Sequence, residues 1–276
     1  MKKRISFQGI YGAYSDLACK KFFPSFDTLP CATFEQALSS VKKGLTDFAF
    51  IPVENNIAGR VADMHFLLED IDLKIVAEHY FKIQHYLLGI ETSSIKKIKK
   101  VYSHVHALSQ CKKNIQKLKL QPINYLDTAG AAEFVSKSRD SSIAAISSKL
   151  ASDIYNLKIL KSRFSDHINN ITRFLVFAKD SIKVEVHKRV ITTIVFNTKN
   201  SPAALFNALG GFALNKINLT RLESFFVNKD FKQFSFLIDV ECHPKKKNFL
   251  KATNILKNFS TRVKILGYYE ASDFRK

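Results

Sequence analysis

The sequence has few cysteines and no long apolar run, and each shortage argues against a class of protein. Its four cysteines, Cys19, Cys31, Cys111 and Cys242, form no Cys-x-x-Cys pair, which argues against a zinc site and a disulfide framework. No stretch approaches the length that spans a membrane. The basic start resembles a signal peptide, but residues 5–12 contain polar side chains and glycines in place of an apolar core. These features predict a cytoplasmic protein without a membrane partner.

Acidic residues are also scarce, with 24 Asp and Glu against 43 Lys and Arg and a formal net charge of +19. Clustered basic side chains bind nucleic acids because they release counterions from the phosphates. Here the lysines occur in short runs, at 96–100, 112–119 and 245–247, and no nucleic-acid motif accompanies them. We therefore predict a solvated basic surface without a nucleic-acid partner, which can still attract a small dianion.

Motifs that hold cofactors or metals are incomplete. Gly9 and Gly12 lie between a predicted strand and a predicted helix, but no Gly-x-Gly-x-x-Gly or Walker pattern follows them. The histidines to consider as metal ligands are His79, His85, His104 and His106. His104 and His106 share one side of an extended segment, yet the third ligand that a metal site requires is not evident. The sequence thus predicts neither a nucleotide or other cofactor nor a metal.

Residues 3–179 alternate short β-rich runs with helical runs, which is typical of α/β architecture. The predicted strands are Ile5–Phe7, Asp47–Val53, Lys74–Ala77, Lys99–Tyr102, Ile123–Leu126, Ser142–Ala145 and Arg173–Ala178. The predicted helices are Tyr14–Phe22, Phe34–Lys42, Val61–Leu68, Ala107–Leu118, Ala129–Ser136 and Lys149–Tyr155. Thr33 and Gln36 fit a capping box, and Thr128 and Ser147 fit helix N-caps.

The basic, polar stretch 180–189 interrupts this alternation, and we interpret it as a linker. The elements predicted after it are strand Val190–Phe196, helix Ala203–Leu214, strand Ile217–Val227, strand Phe231–Val240, helix Phe249–Asn258 and strand Arg262–Gly267. A turn at Asn228–Asp230 joins the two consecutive strands. This βαββαβ order predicts a ferredoxin-like domain over residues 190–270, a fold that serves many functions.

Polar residues concentrate around the ends of predicted strands in the first region, at Glu54-Asn55, Ser103, Thr128 and 169–173. In open α/β sheets the carboxyl ends of the strands line the ligand crevice, so we expect these segments to converge on one pocket. Helices that begin after Ser103 and Thr128 would point unpaired backbone N–H groups at this pocket and favour an anionic ligand.

Four side chains in or near these segments suggest acid–base chemistry or carboxylate binding. Glu54 and Glu133 lie on different elements and fit general acid or base roles, although a carboxylate at such a position also serves as a cap or ion-pair partner. Thr172-Arg173 places a hydroxyl beside a guanidinium, a pair suited to holding a carboxylate. The alternative is that both are ordinary strand residues that face solvent.

Several segments together resemble the prephenate dehydratase family, and the resemblance covers almost the whole chain. The similar segments are Phe7–Ser15, Phe34–Asn55, Ser103–Cys111, Thr128–Glu133, Ala144–Ile146 and Tyr155–Leu157. Asn170-Ile171-Thr172-Arg173-Phe174 is similar to the Asn-x-Thr-Arg-Phe signature, the most specific of these motifs. The chain departs from the family where Val105 and His106 replace Pro and Gln, and where Asn56 replaces Ser.

The resemblance implies a bilobed, periplasmic-binding-protein-like catalytic region over residues 3–179, with its site in the cleft between the lobes, and a monofunctional enzyme. The implied reaction is the decarboxylating dehydration of prephenate to phenylpyruvate, CO2 and water. Thr172 is implied to act on the departing hydroxyl. The other implied catalytic residues are Glu54, Asn55, Ser103, Gln110, Glu133 and Arg173. Thr128, Ala129 and Phe174 are implied to line the substrate pocket.

The C-terminal βαββαβ domain resembles an ACT domain, which implies an amino-acid effector, phenylalanine above all, and a homodimer or tetramer. The implied effector-binding residues are Ala203, Ala204, Leu205, Asn218, Leu219, Glu223 and Ser224. Phe225-Phe226 departs from the family's Arg-Pro at this point, which puts the effector's identity in doubt. The alternatives are an arogenate dehydratase, a non-catalytic amino-acid sensor with the same folds, and a basic nucleic-acid-binding protein.

Overall fold

The computed structural model describes residues 2–61, 64, 67–68, 71–226 and 234–276. The chain divides into two compact units, each made of two separate segments. Unit 1 contains Met1–Arg60 and Tyr80–Phe174, and unit 2 contains Val61–His79 and Leu175–Lys276.

The first lobe of unit 1 is a parallel sheet with helices between its strands. Its elements are β1 (Arg4–Gln8), α1 (Tyr14–Phe22), β2 (Asp27–Cys31), α2 (Phe34–Lys42), β3 (Phe48–Asn55) and β4 (Gly59–Arg60). β1 lies between β2 and β3 and is parallel to both, whereas β4 pairs antiparallel to β3. Residues 49–51 of β3 are all fully buried, because a parallel strand covered on both faces needs a continuous apolar run.

The second lobe of unit 1 is a five-stranded sheet in the order β10-β6-β9-β7-β8. Its strands and helices are β6 (Tyr86–Gly89), β7 (Lys100–Ser103), α3 (Val105–Gln110), α4 (Lys112–Lys117), β8 (Gln121–Asn124), α5 (Thr128–Ser138), β9 (Ile143–Ser147), α6 (Lys149–Ile154) and β10 (Lys158–Lys161). Two strands that flank this segment in the chain, β5 (Lys74–Lys82) and β11 (Ile171–Ala178), do not belong to this sheet. Leu87 and Leu88 pack into different apolar clusters, because successive strand residues point to opposite faces.

The structure corrects several predicted elements of unit 1. β2, β4, β6 and β10 were not predicted. β2 contains Pro30, which weakens a strand pattern but is tolerated at the edge of a sheet. The helix predicted at 107–118 is two short helices, because Cys111, with φ −116° and ψ 13°, leaves the helical conformation. The N-caps are Asp127 and Ser148, each one residue from the predicted Thr128 and Ser147.

Unit 2 has the predicted βαββαβ order. It contains β12 (Val190–Thr198), α7 (Ala204–Leu214), β13 (Leu219–Phe226), β14 (Phe234–Val240), α8 (Lys247–Asn258), β15 (Ser260–Glu270) and a 3-10 turn at Asp273–Arg275. β12 lies antiparallel between β14 and β15, and β13 pairs with β14. Both helices pack on one face of this sheet, around Ile194, Phe212 and Phe249. Residues 179–189 form no helix or strand.

Gly267 of β15 allows a close approach of two strands in unit 2. It pairs with Ile75 of β5, and a Cβ at Gly267 would lie 2.1 Å from the Ile75 carbonyl oxygen. Only glycine fits such a contact. The predicted turn at Asn228–Asp230 and part of the predicted helix at Val61–Leu68 lie outside the described residues.

The structure also bears on the cysteines and on membrane insertion. All four cysteines are free thiols, and only Cys31 is not buried. Among the residues that the structure describes, the helices are too short and too polar for any of them to cross a membrane.

Candidate active site

Six polar side chains of unit 1 form a continuous row of hydrogen bonds, which we call the Tyr14–Thr172 network. Its members, in order, are Tyr14, His85, Gln110, Asn170, Asn55 and Thr172. Tyr14 Oη lies 2.5 Å from His85 Nδ1, and His85 Nε2 lies 2.8 Å from Gln110 Oε1. Gln110 Oε1 also lies 2.7 Å from Asn170 Nδ2. Asn55 Nδ2 lies 2.7 Å from Asn170 Oδ1 and 3.0 Å from Thr172 Oγ1. The network therefore joins Asn55, Gln110 and Thr172, which are predicted catalytic residues.

The fold explains how these side chains meet. Asn55 is the last residue of β3, Gln110 is the last residue of α3, and Thr172 is the second residue of β11. Asn56 links the ends of the two strands: its N–H donates to the Ile171 carbonyl at 3.0 Å, and its Oδ1 accepts from the Ile171 N–H at 2.8 Å. The carboxyl end of β3 and the start of β11 are thereby held side by side.

The orientation of the Asn55 amide is set by the backbone. Its Oδ1 accepts hydrogen bonds from the N–H groups of Ile57 at 3.0 Å and Ala58 at 2.8 Å. A backbone N–H can only donate, so the Asn55 oxygen must face these groups and its NH2 must face Thr172. Because the Thr172 oxygen accepts this bond, its own proton remains to be donated elsewhere. The Thr172 residue is 8% exposed, so this proton is directed within a sheltered site.

Glu54 and Arg173 form an ion pair beside the network. Arg173 Nη1 donates to Glu54 Oε2 at 2.7 Å, and their side chains are 3% and 34% exposed. The alternative that Thr172 and Arg173 are strand residues facing solvent is wrong, because both are buried. One guanidinium N–H is used on a carboxylate of the protein, and the predicted contact of Arg173 with a substrate carboxylate stays a prediction. Glu54 is the more exposed partner.

Phe174 is placed as a packing residue. Its ring stacks on the ring of Phe50 with a centroid separation of 4.5 Å and an interplanar angle of 3°. The residue is 1% exposed. The ring therefore packs between β11 and β3 and presents little surface to a ligand.

Ser103 and Glu133 are not members of the network. The Ser103 hydroxyl is fully buried and donates to the Ile146 carbonyl at 2.6 Å, which ties β7 to β9. The Glu133 carboxylate accepts from Lys137 at 2.6 Å on the outer side of α5, and its side chain is 37% exposed. For these two residues the structure gives local partners and no contact with Thr172 or Asn55.

Side chains cap some of the N–H groups that were predicted to be unpaired at two helix starts. Asp127 Oδ1 accepts from Ala129 N–H at 2.9 Å and from Gly130 N–H at 2.8 Å. His104 Nδ1 accepts from His106 N–H at 3.3 Å. Thr128 is half-buried at the first position of α5, and Ala129 is fully buried. Neither helix start offers these donors to an anion in this state.

Tyr14 and His85 were not predicted as active-site residues, and Asn170 was predicted only within the polar segment 169–173. Asn170 belongs to the Asn-x-Thr-Arg-Phe signature, and Tyr14 lies in a segment similar to the family. No sequence signal marks His85. Burial lowers its pKa to about 4, against the smaller opposing effect of the Gln110 bond, and burial raises the pKa of Tyr14. Both groups are therefore neutral near pH 7.

An open pocket of about 540 Å³ borders the network. It is lined by Asn56, Ile57, Asp166, His167, Ile168 and Asn169. These residues are the sequence neighbours of Asn55 and Asn170, so the pocket lies beside the network rather than on another face of unit 1. Within the described parts of the chain, no three His, Cys, Asp or Glu side chains are grouped closely enough to hold a metal ion.

The predicted effector-binding residues lie on α7 and β13 of unit 2. Ala203 precedes α7 with a left-handed φ of 58°, and Ala204 is buried. Leu205 and Leu219 pack against the same apolar cluster. Asn218 Nδ2 donates to Glu241 Oε2 at 2.9 Å, and Glu223 Oε1 accepts from Arg221 Nε at 2.9 Å. Ser224 is exposed.

The fold and the site define a two-lobed α/β protein whose candidate active site joins the end of one central strand to the start of another. The family model for prephenate dehydratase matches residues 5–182. The chain belongs to the prephenate dehydratase family, and both the predicted family and the predicted α/β fold class are confirmed.

The chain is similar to named relatives over nearly all of its length. It is 40% identical to a bifunctional N-acyl-homoserine lactone acylase/prephenate dehydratase of Komagataeibacter europaeus, over 99% of this chain and 97% of that protein. It is 38% identical to arogenate dehydratase/prephenate dehydratase 1 of Arabidopsis thaliana, over 97% of this chain and 72% of that protein. The solved prephenate dehydratase of Arthrobacter aurescens in complex with L-Phe has a TM-score of 0.89 at 25% identity, covering 98% of this chain and 90% of that one.

Proposed function

We propose that the protein catalyses the decarboxylating dehydration of prephenate to phenylpyruvate, CO2 and water, a step of phenylalanine synthesis. The observation that supports this most directly is the hydrogen-bond direction at Thr172. Its oxygen accepts from Asn55 Nδ2 at 3.0 Å, so its proton can be donated to a departing hydroxyl. Membership of the prephenate dehydratase family gives the substrate class.

The step that most needs catalysis is the cleavage of the para carbon–oxygen bond. The bond between the ring and its carboxylate breaks, and its electron pair enters the ring as CO2 leaves. The para carbon–oxygen bond breaks as the ring becomes aromatic, and its electron pair leaves with the hydroxyl oxygen, which takes a proton to become water. Because hydroxide leaves slowly without a proton or a strong hydrogen bond, a positioned donor contributes roughly two to four orders of magnitude in rate.

We assign the roles of the other residues from their contacts. Asn55 holds the Thr172 oxygen and thereby sends its proton toward the substrate. Glu54 precedes Asn55 in β3 and is 34% exposed at its side chain, so we assign it a contact with the substrate, and Arg173 orients its carboxylate. Gln110 positions Asn170, which in turn contacts Asn55. The net charge of +19 raises the local concentration of a dianionic substrate such as prephenate.

The test is the formation of phenylpyruvate from purified prephenate, with arogenate assayed in parallel. Thr172→Ala should lower kcat by about a hundredfold or more, because it removes the donor. Thr172→Ser is the matched control, since it keeps the hydroxyl, and it should retain most of the activity. Turnover of prephenate that survives Thr172→Ala would contradict the assignment.

Arogenate is the alternative substrate. The Arabidopsis thaliana relative is named for both substrates, and the elimination is the same when an amine replaces the ketone. Turnover of arogenate alone would make the protein an arogenate dehydratase. Inactivity on both substrates, with binding of an amino acid retained, would favour a non-catalytic sensor.

A second activity is worth testing because the Komagataeibacter europaeus relative, at 40% identity over 99% of this chain, is named for acylase as well as prephenate dehydratase. We propose hydrolysis of an N-acyl-homoserine lactone as this second candidate. The same preparation should be assayed for free homoserine lactone, with Thr172→Ala beside it. Acylase activity that survives Thr172→Ala would need a site other than the one described here.

We also propose that residues 190–270 form an ACT-type regulatory domain, joined by a linker at 180–189 to a catalytic region at 3–179, and that the protein self-associates through α7. Phe206 and Leu214 of α7 are 77% and 80% exposed, which is unusual for large apolar side chains on one helix. The Arthrobacter aurescens structure holds L-Phe, which supports phenylalanine as effector. The free thiols support a reducing compartment such as the cytoplasm.

These regulatory proposals have their own measurements. Phenylalanine should raise the thermal midpoint in a concentration-dependent way, because a ligand that binds only the folded state stabilises it. Sedimentation should give a dimer or tetramer, and Phe206→Glu should shift it toward monomer. The absence of any shift with phenylalanine or tyrosine would contradict an effector of this class.

A further inference from the structure

We propose that Tyr14 and His85 are positioning residues of the active site, which hold the Gln110 amide in the one orientation that keeps the Thr172 proton available. This inference rests on the function proposed above. It follows from the direction of each hydrogen bond in the Tyr14–Thr172 network, taken in turn from the end that the backbone sets.

The first steps run from Asn55 to Gln110. Asn55 Oδ1 accepts from the Ile57 and Ala58 N–H groups, so its NH2 donates to Asn170 Oδ1 at 2.7 Å. The other end of the Asn170 amide is then an NH2, and it donates to Gln110 Oε1 at 2.7 Å. Each amide has one donor end and one acceptor end, so the direction passes unchanged to Gln110.

The next steps run from Gln110 to Tyr14. Gln110 Oε1 is an acceptor, so the His85 Nε2 at 2.8 Å must carry a hydrogen. A neutral imidazole has only one N–H, which makes His85 Nδ1 an acceptor. The Tyr14 hydroxyl, at 2.5 Å, is therefore its donor. His85 is 2% exposed, and its two ring nitrogens thus have one matched partner each.

The Tyr14 hydroxyl could take part in two states of this network. Its hydroxyl also lies 3.1 Å from the Gln84 carbonyl oxygen, but it has only one proton to give. If that proton went to Gln84, His85 would carry its hydrogen on Nδ1 and present a bare Nε2 to Gln110. The Gln110 amide would then have to turn, and its NH2 would face the NH2 of Asn170. This opposition of two donors disfavours the alternative, in which Tyr14 would still bond His85 by accepting from Nδ1–H.

The role is positioning rather than proton transfer. Three carboxamides separate His85 from Thr172, and an amide passes a proton only through a high-energy imidic acid. The network can instead transmit orientation, since a reversed partner leaves two donors or two acceptors in contact, which is costly in a buried site.

The direct test is the tautomer of His85, measured by ¹⁵N NMR of histidine-labelled protein at pH 7. The expected wild-type signal is a neutral ring with its hydrogen on Nε2. In Tyr14→Phe the hydrogen should stay on Nε2, because Gln110 Oε1 still accepts it, while Nδ1 loses its donor. A wild-type ring with its hydrogen on Nδ1, or with both nitrogens protonated, would overturn the inference.

The kinetic test separates turnover from binding. Tyr14→Phe should lower kcat about tenfold with KM within about twofold, because one buried hydrogen bond that orients the site contributes to the transition state and little to substrate binding. Tyr268→Phe in unit 2 is the matched control and should leave both constants unchanged. A Tyr14→Phe enzyme with wild-type kcat would overturn the role of Tyr14.

Two variants at His85 give a second reading that does not depend on Tyr14. His85→Gln can place an NH2 where Nε2 lies and keep the bond to Gln110, whereas His85→Leu removes it. The glutamine variant should therefore be several-fold more active than the leucine variant when both show wild-type circular dichroism. Equal losses in the two would overturn the role of His85.

Failure of this inference and failure of the proposed function give different results. A wild-type enzyme that is active on prephenate, with Tyr14 and His85 variants equally active, retains the function and rejects the positioning role. A wild-type protein inactive on prephenate and arogenate rejects the function and the catalytic meaning of the network. The tautomer measurement would then still decide the direction of its hydrogen bonds.

Discussion

Two buried polar groups, one in each unit, are built from different kinds of side chain. In unit 1 the Tyr14–Thr172 network contains no charged side chain. In unit 2 the Glu78 side chain is fully buried and accepts hydrogen bonds from the Ser272 N–H at 3.1 Å and from Arg275 Nε and Nη2 at 2.6 and 3.0 Å. We call these three residues the Glu78–Arg275 cluster. It ties the C-terminal turn to β5, within the same unit.

The two buried groups differ in role: the Glu78–Arg275 cluster has a structural role, and the Tyr14–Thr172 network has a role in the chemistry. In the Glu78–Arg275 cluster, Ser272 and Arg275 donate to Glu78 within unit 2, and the effect is to hold the chain end. The Tyr14–Thr172 network is anchored by backbone N–H groups at Asn55 and ends beside them in a hydroxyl whose proton is not used by Asn55. We infer that the first cluster stabilises the fold and the second orients a reacting group.

The largest expected effect concerns the charged cluster. Arg275→Met leaves the Glu78 carboxylate buried without its cation, which should lower the free energy of unfolding by about 3–5 kcal/mol. Urea unfolding at pH 7 measures this. Lys276→Met, at an exposed neighbouring ion pair, should change it by less than about 0.5 kcal/mol. A similar loss in the double variant Glu78→Gln/Arg275→Met would show that the ion pair itself is not the cause.

The second effect tests whether the network in unit 1 is kept neutral. The pKa of His85 is lowered from 6.5 to about 4, so between these values the unfolded chain binds a proton that the folded protein does not. Stability should therefore fall as pH decreases from about 6.5 to 4, by about 3 kcal/mol in total. The measurement is unfolding against pH in wild type and His85→Gln, and the difference isolates His85. Parallel curves would contradict this prediction.

The third effect tests the direction of the hydrogen bond between Asn55 and Thr172. Asn55→Asp keeps the acceptor for Ile57 and Ala58 but replaces the NH2 with an oxygen, so the Thr172 hydroxyl must donate to Asp at position 55 instead of to substrate. We expect kcat for phenylpyruvate formation to fall roughly a hundredfold. The thermal midpoint at pH 7 is measured alongside. An unfolding defect without loss of kcat per folded molecule would place Asn55 with the structural cluster.

The smallest effect sets the scale of a purely local change. Ala203 has a φ of 58°, a conformation that costs a non-glycine residue about 1–2 kcal/mol. Ala203→Gly should stabilise the protein by about 0.5–1 kcal/mol after the added entropy of the unfolded chain. Ala213→Gly, in the last turn of the same helix, is the control and should destabilise by a similar amount. Urea unfolding compares the two.

The sequence predicts the α/β class and most long elements well, because burial imposes periodic apolar patterns that a single segment carries. It predicts less well where an element is short or at an edge. β2 is half exposed and contains Pro30, so its pattern is weak. The break at Cys111 follows from packing rather than from a helix-breaking residue.

The candidate site is predictable only in part, for a related reason. Asn55 and Thr172 follow from the family resemblance, and the structure brings them together with Gln110. Tyr14 and His85 are 71 residues apart in the sequence, and no local pattern encodes a hydrogen bond over such a separation. Asp127 and Thr128 are both good N-cap residues, so sequence alone could not choose between them.

The two backbone N–H groups that hold Asn55 also constrain how this sequence can diverge. A residue of the network can be replaced only by one that donates to and accepts from the same neighbours. A side chain with the reverse arrangement would place two donors or two acceptors in contact. A reversed hydrogen bond costs no stability only when every following residue, as far as Tyr14, also reverses its donor and acceptor. We therefore expect substitutions among the six residues to accumulate in matched sets rather than singly.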